Sequence, residues 1–298
     1  MTSAGQNALI ELAIEPKIGA DSEKLRAALT KLAEQDASFD FACDQESGQF
    51  IIRGVSEEQL DEKITALKNT CNVEVNVGQP QVAYRETITC AADIDHAYTK
   101  ITGPTCEFAR IIFRVTPLER GAGFIFENSA SDQTIPEACV GGAERGVNII
   151  RGHGLLVGFP IIDFKIELCD GAFHDIDSSP LAFERAARRG LLENRERLGL
   201  ILLEPIMKVE VTTPEKYVGN IVADLSGRQG IIQHQAMCGL AVVIKSLTPL
   251  RNMFGYMKTL RAMTEGRGSY SMEFSHYDRI PTINDDPPPM AAAGALRA

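Results

Sequence analysis

The chain has 298 residues, 44% hydrophobic and 23% charged, with no Trp and a formal net charge of -10. That balance supports ordinary cores of Ile, Leu, Val and Ala. It excludes a protein that holds nucleic acid by bulk positive charge, because phosphate binding rests on Lys and Arg displacing counterions. No uninterrupted apolar run reaches the roughly 20 residues of a membrane span, and the first residues lack a basic segment followed by an apolar one. Seven Cys without a Cys-x-x-Cys spacing point to reduced thiols and a cytoplasmic location.

The first segment begins with a strand-like run, Ala8–Pro16. A helix follows over Asp21–Gln35, with Leu25, Leu29 and Leu32 at helical spacing. Phe39–Cys43 and Phe50–Arg53 read as short strands around the turn Asp44–Gly48. Ser56 caps a second helix, Ser56–Asn69, whose apolar face carries Leu60, Ile64 and Leu67. Val73–Val77 alternates as a last strand. The order is β-α-β-β-α-β, the split βαβ arrangement.

The middle is different. Val82–Cys90, Phe108–Thr116, Gly123–Glu127 and Ile161–Leu168 read as strands. Pro136–Ile150 and Ser178–Arg197 read as helices, the second with Arg185, Arg188, Arg189, Arg195 and Arg197 on its polar face. This is a separate α+β domain.

The last third repeats the first order. Met207–Thr213 is a strand, and Pro214 sits at the first position of a helix to about Ser226. Gly230–Met237 and Leu240–Leu247 are strands around Cys238-Gly239. Leu250–Glu265 is a helix with Gly266 as its C-cap, and Ser269–His276 is the last strand. Domains are therefore expected at 1–81, 82–205 and 206–281, with 282–298 a Pro-rich, disordered tail. Their net charges run -7 for 1–81, -5 for 82–205 and +2 for the remainder, so only the C-terminal third has a positive bias.

No P-loop, Rossmann glycine pattern, His-Glu-x-x-His or Gly-x-Ser-x-Gly occurs, so no catalytic residue is assigned and the chain is not expected to be an enzyme. His174, Asp175 and Asp177 lie within four residues of one another and could hold a metal or move protons. Their sequence equally reads as a strand-to-helix connection, with Asp177, Ser178 and Ser179 as capping types and Pro180 in the first turn. No metal site is assigned. Gly266-Arg267-Gly268 could contact phosphate, or be a helix cap followed by a turn.

At these residues the sequence resembles a known family, translation elongation factor G. The resemblance runs in chain order through Asn76–Ile88, His174–Ser179, Leu203–Glu215 (LEPIMKVEVTTPE), Asn252–Tyr256, Leu260-Arg261 and Thr264–Phe274 (TEGRGSYSMEF), and covers nearly all of residues 8–281. It implies the family's third, fourth and fifth domains: two ferredoxin-like domains flanking a ribosomal-protein-S5-like α/β domain that mimics a tRNA anticodon arm. Met1 falls just before the third domain, which implies a chain starting at a domain boundary, without the GTPase and second domains. GTP and magnesium belong to that missing GTPase domain, so no cofactor is expected on this chain. The implied partners are the ribosome and its rRNA, or a separate GTPase chain, with no DNA and no membrane.

His174–Ser179 resembles the fourth-domain loop that enters the ribosomal decoding site. The resemblance makes His174, Asp175, Asp177, Lys100, Gly103, Arg228, Arg267 and Tyr270 candidate ribosome or RNA contacts. Departures are concentrated at the same places. The family's second tip loop, basic and glycine-rich, reads Tyr98–Glu107 here; it keeps only Lys100 and Gly103 and gains Pro104. A His of the third domain is replaced within Gly54–Asp61, and the Arg-rich turn of the fifth domain is reduced to Arg228 within Ser226–Gly230. These changes also suit a partner-binding or regulatory module on the same fold, or one half of a split elongation factor.

Overall fold

The computed structural model describes residues 9–17, 22–43, 50–71, 73–78, 81–102, 105–131 and 133–280. The turn Asp44–Gly48, Gly103, Pro104 and the expected tail lie outside the described residues. The chain forms two compact units. One combines the residues up to Ala83 with Glu204–Asp278, and the other is built on Tyr84–Leu203.

The first unit opens with strand β1 (Ile10–Pro16), helix α1 (Ser22–Gln35), strands β2 (Asp40–Cys43) and β3 (Phe50–Gly54), helix α2 (Glu57–Cys71), and strands β4 (Val75–Val77) and β5 (Gln81–Val82). The sheet order is β2-β3-β1-β4, with β5 also on β1 and each pairing antiparallel. This is the ferredoxin-like arrangement, and the alternation of apolar residues sets its register. Ile10, Leu12 and Ile14 of β1 are buried, as are Leu25 and Leu29 of α1 and Leu60 and Leu67 of α2. Each such side chain contributes about 1.5–3 kcal/mol on burial.

Ser56 caps α2 as expected, its Oγ accepting from Gln59 N at 3.2 Å. The Gln59 side chain then ties the layer together. Its Oε1 accepts from Val55 N (2.9 Å), and its Nε2 donates to Asp36 Oδ2 (2.9 Å) and Ser38 Oγ (2.7 Å). Ser38 Oγ donates to Asp36 Oδ1 (2.6 Å), and Lys63 Nζ lies 2.9 Å from Asp36 Oδ2. Hydrogen bonds from Ser38, then Lys63 and Gln59, hold the Asp36 carboxyl well below the usual carboxylate range. A depressed carboxyl stabilises the fold above its unfolded pKa of about 3.9, and that contribution is lost as pH falls toward the folded value. Asp36→Asn is therefore expected to lower the melting temperature at neutral pH, with the gap to wild type closing on acidification below about pH 4. Thermal melts across pH check this; a gap that stays constant in acid would sink it.

The second unit contains strands β6 (Arg85–Thr87), β7 (Ala92–Thr102), β8 (Thr105–Pro117) and β9 (Phe124–Asn128), helix α3 (Glu137–His153), strand β10 (Phe164–Ala172) and helix α4 (Pro180–Glu193), followed by a 3-10 turn over Arg195–Leu198. The sheet order is β7-β8-β10-β9, with β9 parallel to β10 and the other pairs antiparallel. Ile94, Phe113, Val115, Ile166 and Leu168 of the sheet bury against Ala143 and Val147 of α3 and Phe183 and Ala186 of α4. The two helices approach closely because α3 presents glycines. A Cβ built on Gly142 would lie 2.1 Å from Pro180 O, and one on Gly146 would lie 2.4 Å from Glu184 O.

The remainder of the first unit starts at Glu204, within strand β11 (Ile201–Pro214), whose first residues belong to the second unit, and continues through a 3-10 turn over Glu215–Tyr217, helix α5 (Val218–Gly227), strands β12 (Ile231–Cys238) and β13 (Ala241–Pro249), a 3-10 turn over Leu250–Asn252 and helix α6 (Tyr256–Met263) into strand β14 (Ser269–Arg279). The order β12-β13-β11-β14 repeats the ferredoxin-like pattern.

Several sequence expectations change. Val82–Cys90 is not one strand: Gln81–Val82 pairs with β1, whereas Arg85–Thr87 pairs with Ile201–Leu203. Tyr98–Glu107 is not a free loop, because its described residues form the end of the β7–β8 hairpin up to the pair Thr102–Thr105. Strand β7 is not expected from the sequence, because the face that carries Ile94 and Tyr98 also carries His96 and Lys100, which give no aliphatic signal. Pro214 ends β11 and begins no α-helix; α5 starts only at Val218. The helix expected over Leu250–Glu265 is interrupted at Gly255, whose φ of 69° a side chain would strain. Among the described residues, no helix is long and apolar enough to cross a membrane.

Candidate functional site

One end of the second unit gathers half of the candidate residues. Between β10 and α4 the chain makes a tight turn, with Ser178 N donating to His174 O (2.9 Å). Ser178 Oγ accepts from His174 N (2.9 Å) and donates to Phe108 O (2.7 Å). Phe108 N in turn donates to Asp177 O (2.9 Å). Residues 174–178 are thus fastened to strand β8 at both a side chain and the backbone. His174 Nδ1 lies 3.2 Å from Asp177 Oδ2, which orients the imidazole. Ser179 is the N-cap of α4, accepting from Ala182 N at 3.2 Å, with Pro180 in the first turn. Of the capping candidates, then, Ser179 caps and Ser178 locks the turn.

This fastening leaves His174, Asp175 and Ile176 exposed, Ile176 at 87% of its full surface. Phe108 pairs with Thr99 of β7, so the turn sits beside the hairpin three residue pairs short of Thr102–Thr105. The hairpin therefore projects roughly 10 Å further, at about 3.4 Å per residue. It carries Lys100, exposed, and Ile101, 75% exposed. Gly103 lies outside the described residues. Sequence reasoning gave no role to Ile101 or Ile176. The signal was present in Ile176, an aliphatic residue between two carboxylates where no apolar periodicity calls for one.

Below the tip, the hairpin is braced by charge pairs. Arg185 of α4 pairs with Glu107, which also accepts from Tyr98 Oη (3.3 Å). The Arg185 hydrogen bond holds the Glu107 carboxyl below its ordinary value. Arg110 grips Asp95 at 2.9 and 2.6 Å, and Arg114 meets Asp93 at 3.1 Å. An open groove of about 260 Å³ runs beside Arg185, lined also by Tyr98, Ile150, Arg188, Arg189 and Leu192. No group of three His, Cys, Asp or Glu among the described residues could hold a metal ion.

The other three candidates lie in the first unit, two of them, Arg228 and Tyr270, against Tyr256. Arg228 is fully engaged inside the fold. Its Nε donates to Asp224 Oδ2 (2.9 Å), Nη1 to Asn252 O (2.5 Å) and Nη2 to Thr259 Oγ1 (3.2 Å). Its guanidinium lies 5.0 Å over the Tyr256 ring. The Tyr270 ring meets Tyr256 edge-on at 5.1 Å, and its hydroxyl donates to Glu58 Oε1 at 2.9 Å. Burial, then the Glu58 bond, raises the Tyr270 hydroxyl pKa. Both side chains are occupied in packing. Arg267 is exposed in the connection after α6, with its N–H donating to Thr264 O (3.0 Å). Gly266 beside it has φ 75°, and the cap position itself is Thr264.

Comparison with known proteins matches three consecutive family profiles. "Elongation Factor G, domain III" matches residues 7–79, "Elongation factor G, domain IV" residues 80–197 and "Elongation factor G C-terminus" residues 201–286. Elongation factor G of Cereibacter sphaeroides (strain KD131) is 48% identical over 279 residues, covering 93% of this chain and 40% of that protein. That of Paracoccus denitrificans (strain Pd 1222) gives the same figures. A solved structure from Thermus thermophilus superposes with a TM-score of 0.73 at 32% identity, covering 93% of this chain and 41% of the other. The chain thus spans about two-fifths of the length of the curated relatives it matches.

Proposed function

We propose a function from one premise: the chain belongs to the elongation factor G family, to which it is homologous over that family's C-terminal part. On that premise the chain docks on the ribosome through the end of its second unit and has no GTP site of its own. The observation that carries this reading is the locked turn. Ser178 and Asp177 fasten residues 174–178 to Phe108, so His174, Asp175 and Ile176 are presented at low entropic cost next to the Lys100 end of the hairpin. Arg267 is the candidate contact in the first unit. Arg228 and Tyr270 are taken up in packing within the fold.

A second reading has its own observation. Ile101 and Ile176 are exposed where an RNA-binding tip needs cations, which favours a partner-binding module. A GTPase-bearing partner chain would suit that reading.

Co-sedimentation with ribosomes separates the two. Docking predicts binding at low salt that weakens as salt rises. Ile176→Asp is expected to weaken it about tenfold or more, the scale of a central contact residue. Absence of binding at low salt would remove the ribosomal reading. Purified chain is expected to turn over no GTP, and measured turnover would overturn the assignment of a missing site.

A further inference from the structure

Helix α4 and the 3-10 turn after it are rich in arginine. From Arg185 to Arg197 the chain holds five Arg and two Glu, a local excess of +3 within a net charge of -10. Arg185, Arg188, Arg189 and Leu192 fall at helical spacing on one stripe of α4, and with Tyr98 and Ile150 they line the groove of about 260 Å³. All six residues belong to the second unit. The three arginines are unequally engaged. Arg185 is taken by Glu107. Arg189 meets Glu193 at 3.1 Å in an exposed i, i+4 pair, which holds weakly. Arg188 is exposed and meets no carboxylate among the described residues. Leu192, one turn further on, is 47% exposed. The groove thus sets a free guanidinium beside an uncovered aliphatic side chain, over a floor of Ile150 and Tyr98.

We propose that this groove docks a short segment of a partner protein in which one or two carboxylates flank a large apolar side chain. Charge and size select that occupant. Arg188 offers a carboxylate a bidentate partner, and Arg189 offers a second one once it leaves Glu193. The apolar side chain lies against Leu192, Ile150 and Tyr98, as the anchor of an interface does. A volume of about 260 Å³ falls below the roughly 300–1,000 Å³ of small-molecule sites, so it suits a side chain and not a cofactor. A nucleic-acid strand fits less well. It carries a phosphate at every nucleotide, whereas the cationic stretch is short: Glu107 stands at the Arg185 end and Glu193 one residue beyond Leu192. A polyanion crossing the groove meets both glutamates, and its phosphates leave the apolar floor unused. A segment with one or two carboxylates stops short of either.

A phage-displayed random heptapeptide library, panned on the immobilised full chain with the Arg188→Glu chain as counter-selection, tests this. The enriched peptides are expected to place Asp or Glu beside Phe, Leu or Met. A fluorescein-labelled copy of the enriched peptide is then expected to bind about tenfold or more weakly to Arg188→Ala and to Leu192→Ser, the scale of a central contact residue. The same loss is expected when the carboxylates of the peptide are replaced by amides. Both substitutions are at exposed positions and are expected to leave the thermal melt unchanged. The amide peptide reads the same charge without altering the chain, so it decides the matter should either variant fail to fold. Enriched sequences without carboxylates, or none that depend on Arg188, overturn the proposal. So does displacement of the peptide by dodecauridylate at a lower concentration than by unlabelled peptide, which would make this face an RNA surface. None of these failures removes the ribosomal reading, which is tested at Ile176.

Discussion

Glu86→Ala is expected to destabilise the second unit by about 3 kcal/mol or more, since a buried donor left without an acceptor costs about 1–3 kcal/mol. Glu86 is fully buried, and its carboxylate is the acceptor for one continuous stretch of backbone. Oε2 accepts from Leu155 N (2.7 Å) and Leu156 N (2.9 Å). Oε1 accepts from Val157 N (2.8 Å), Gly158 N (3.0 Å) and Phe159 N (3.1 Å). Five successive amides converge on one negative charge, which satisfies the carboxylate without a cation. Gly154 permits the approach: its φ is 75°, and a Cβ there would lie 2.7 Å from Glu86 Oε1. Glu86→Gln removes the charge and turns one acceptor into a donor facing amide donors, so it is expected to fall between wild type and alanine. Hydrogen exchange at residues 155–159 is the direct readout, because the chain has two units and a single unfolding midpoint would blur them. Unchanged protection in Glu86→Ala would contradict the account.

The second large effect lies between α3 and α4. Gly142→Ala is expected to cost about 1–3 kcal/mol despite alanine's better helix propensity, because its Cβ would overlap the backbone of Pro180. Backbone on α4 cannot rotate away as a side chain would, so the helices must separate and loosen Phe183 and Ala186 from the core. Gly152 is the internal control. It lies in the same helix with nothing within 4 Å of a built Cβ, so Gly152→Ala is expected to stabilise by up to about 1 kcal/mol. Denaturant melts of the two variants should therefore move in opposite directions. Movement in the same direction would refute the close-packing explanation.

Both effects show what the sequence did and did not disclose. The ferredoxin-like halves were legible because Leu25, Leu29, Leu60 and Leu67 fall at helical spacing, between strands whose apolar residues alternate. Ser56 and Ser179 were readable as caps because capping is local. Glu86 was not legible: its five donors lie about 70 residues away, and nothing in its own neighbourhood marks it as buried. Gly142 and Gly146 carry no legible role in the sequence, since the reason for them is the surface of another helix. Strand β7 was hidden by His96 and Lys100 on the face it shares with Ile94. At the candidate site, the His174–Ser179 motif was visible, whereas its attachment to Phe108 needed the register of the β7–β8 hairpin. Arg228 shows the opposite failure. An arginine in a turn reads as a surface contact, and the fold uses all three of its nitrogens to join α5 to the α6 region.

The central claim is that the end of the second unit meets ribosomal RNA. Its most direct test is site-directed cross-linking from that end. Ile101→Cys and Ile176→Cys place a thiol at two exposed positions, and Leu192→Cys, also exposed, places one near the far end of α4 as a reference. With a short photoreactive probe attached, ribosomes incubated with the first two variants are expected to give cross-links to small-subunit rRNA, which the reference variant gives weakly or not at all. Equal cross-linking from all three, or none from Ile101→Cys and Ile176→Cys on ribosomes that bind the chain, would contradict the account.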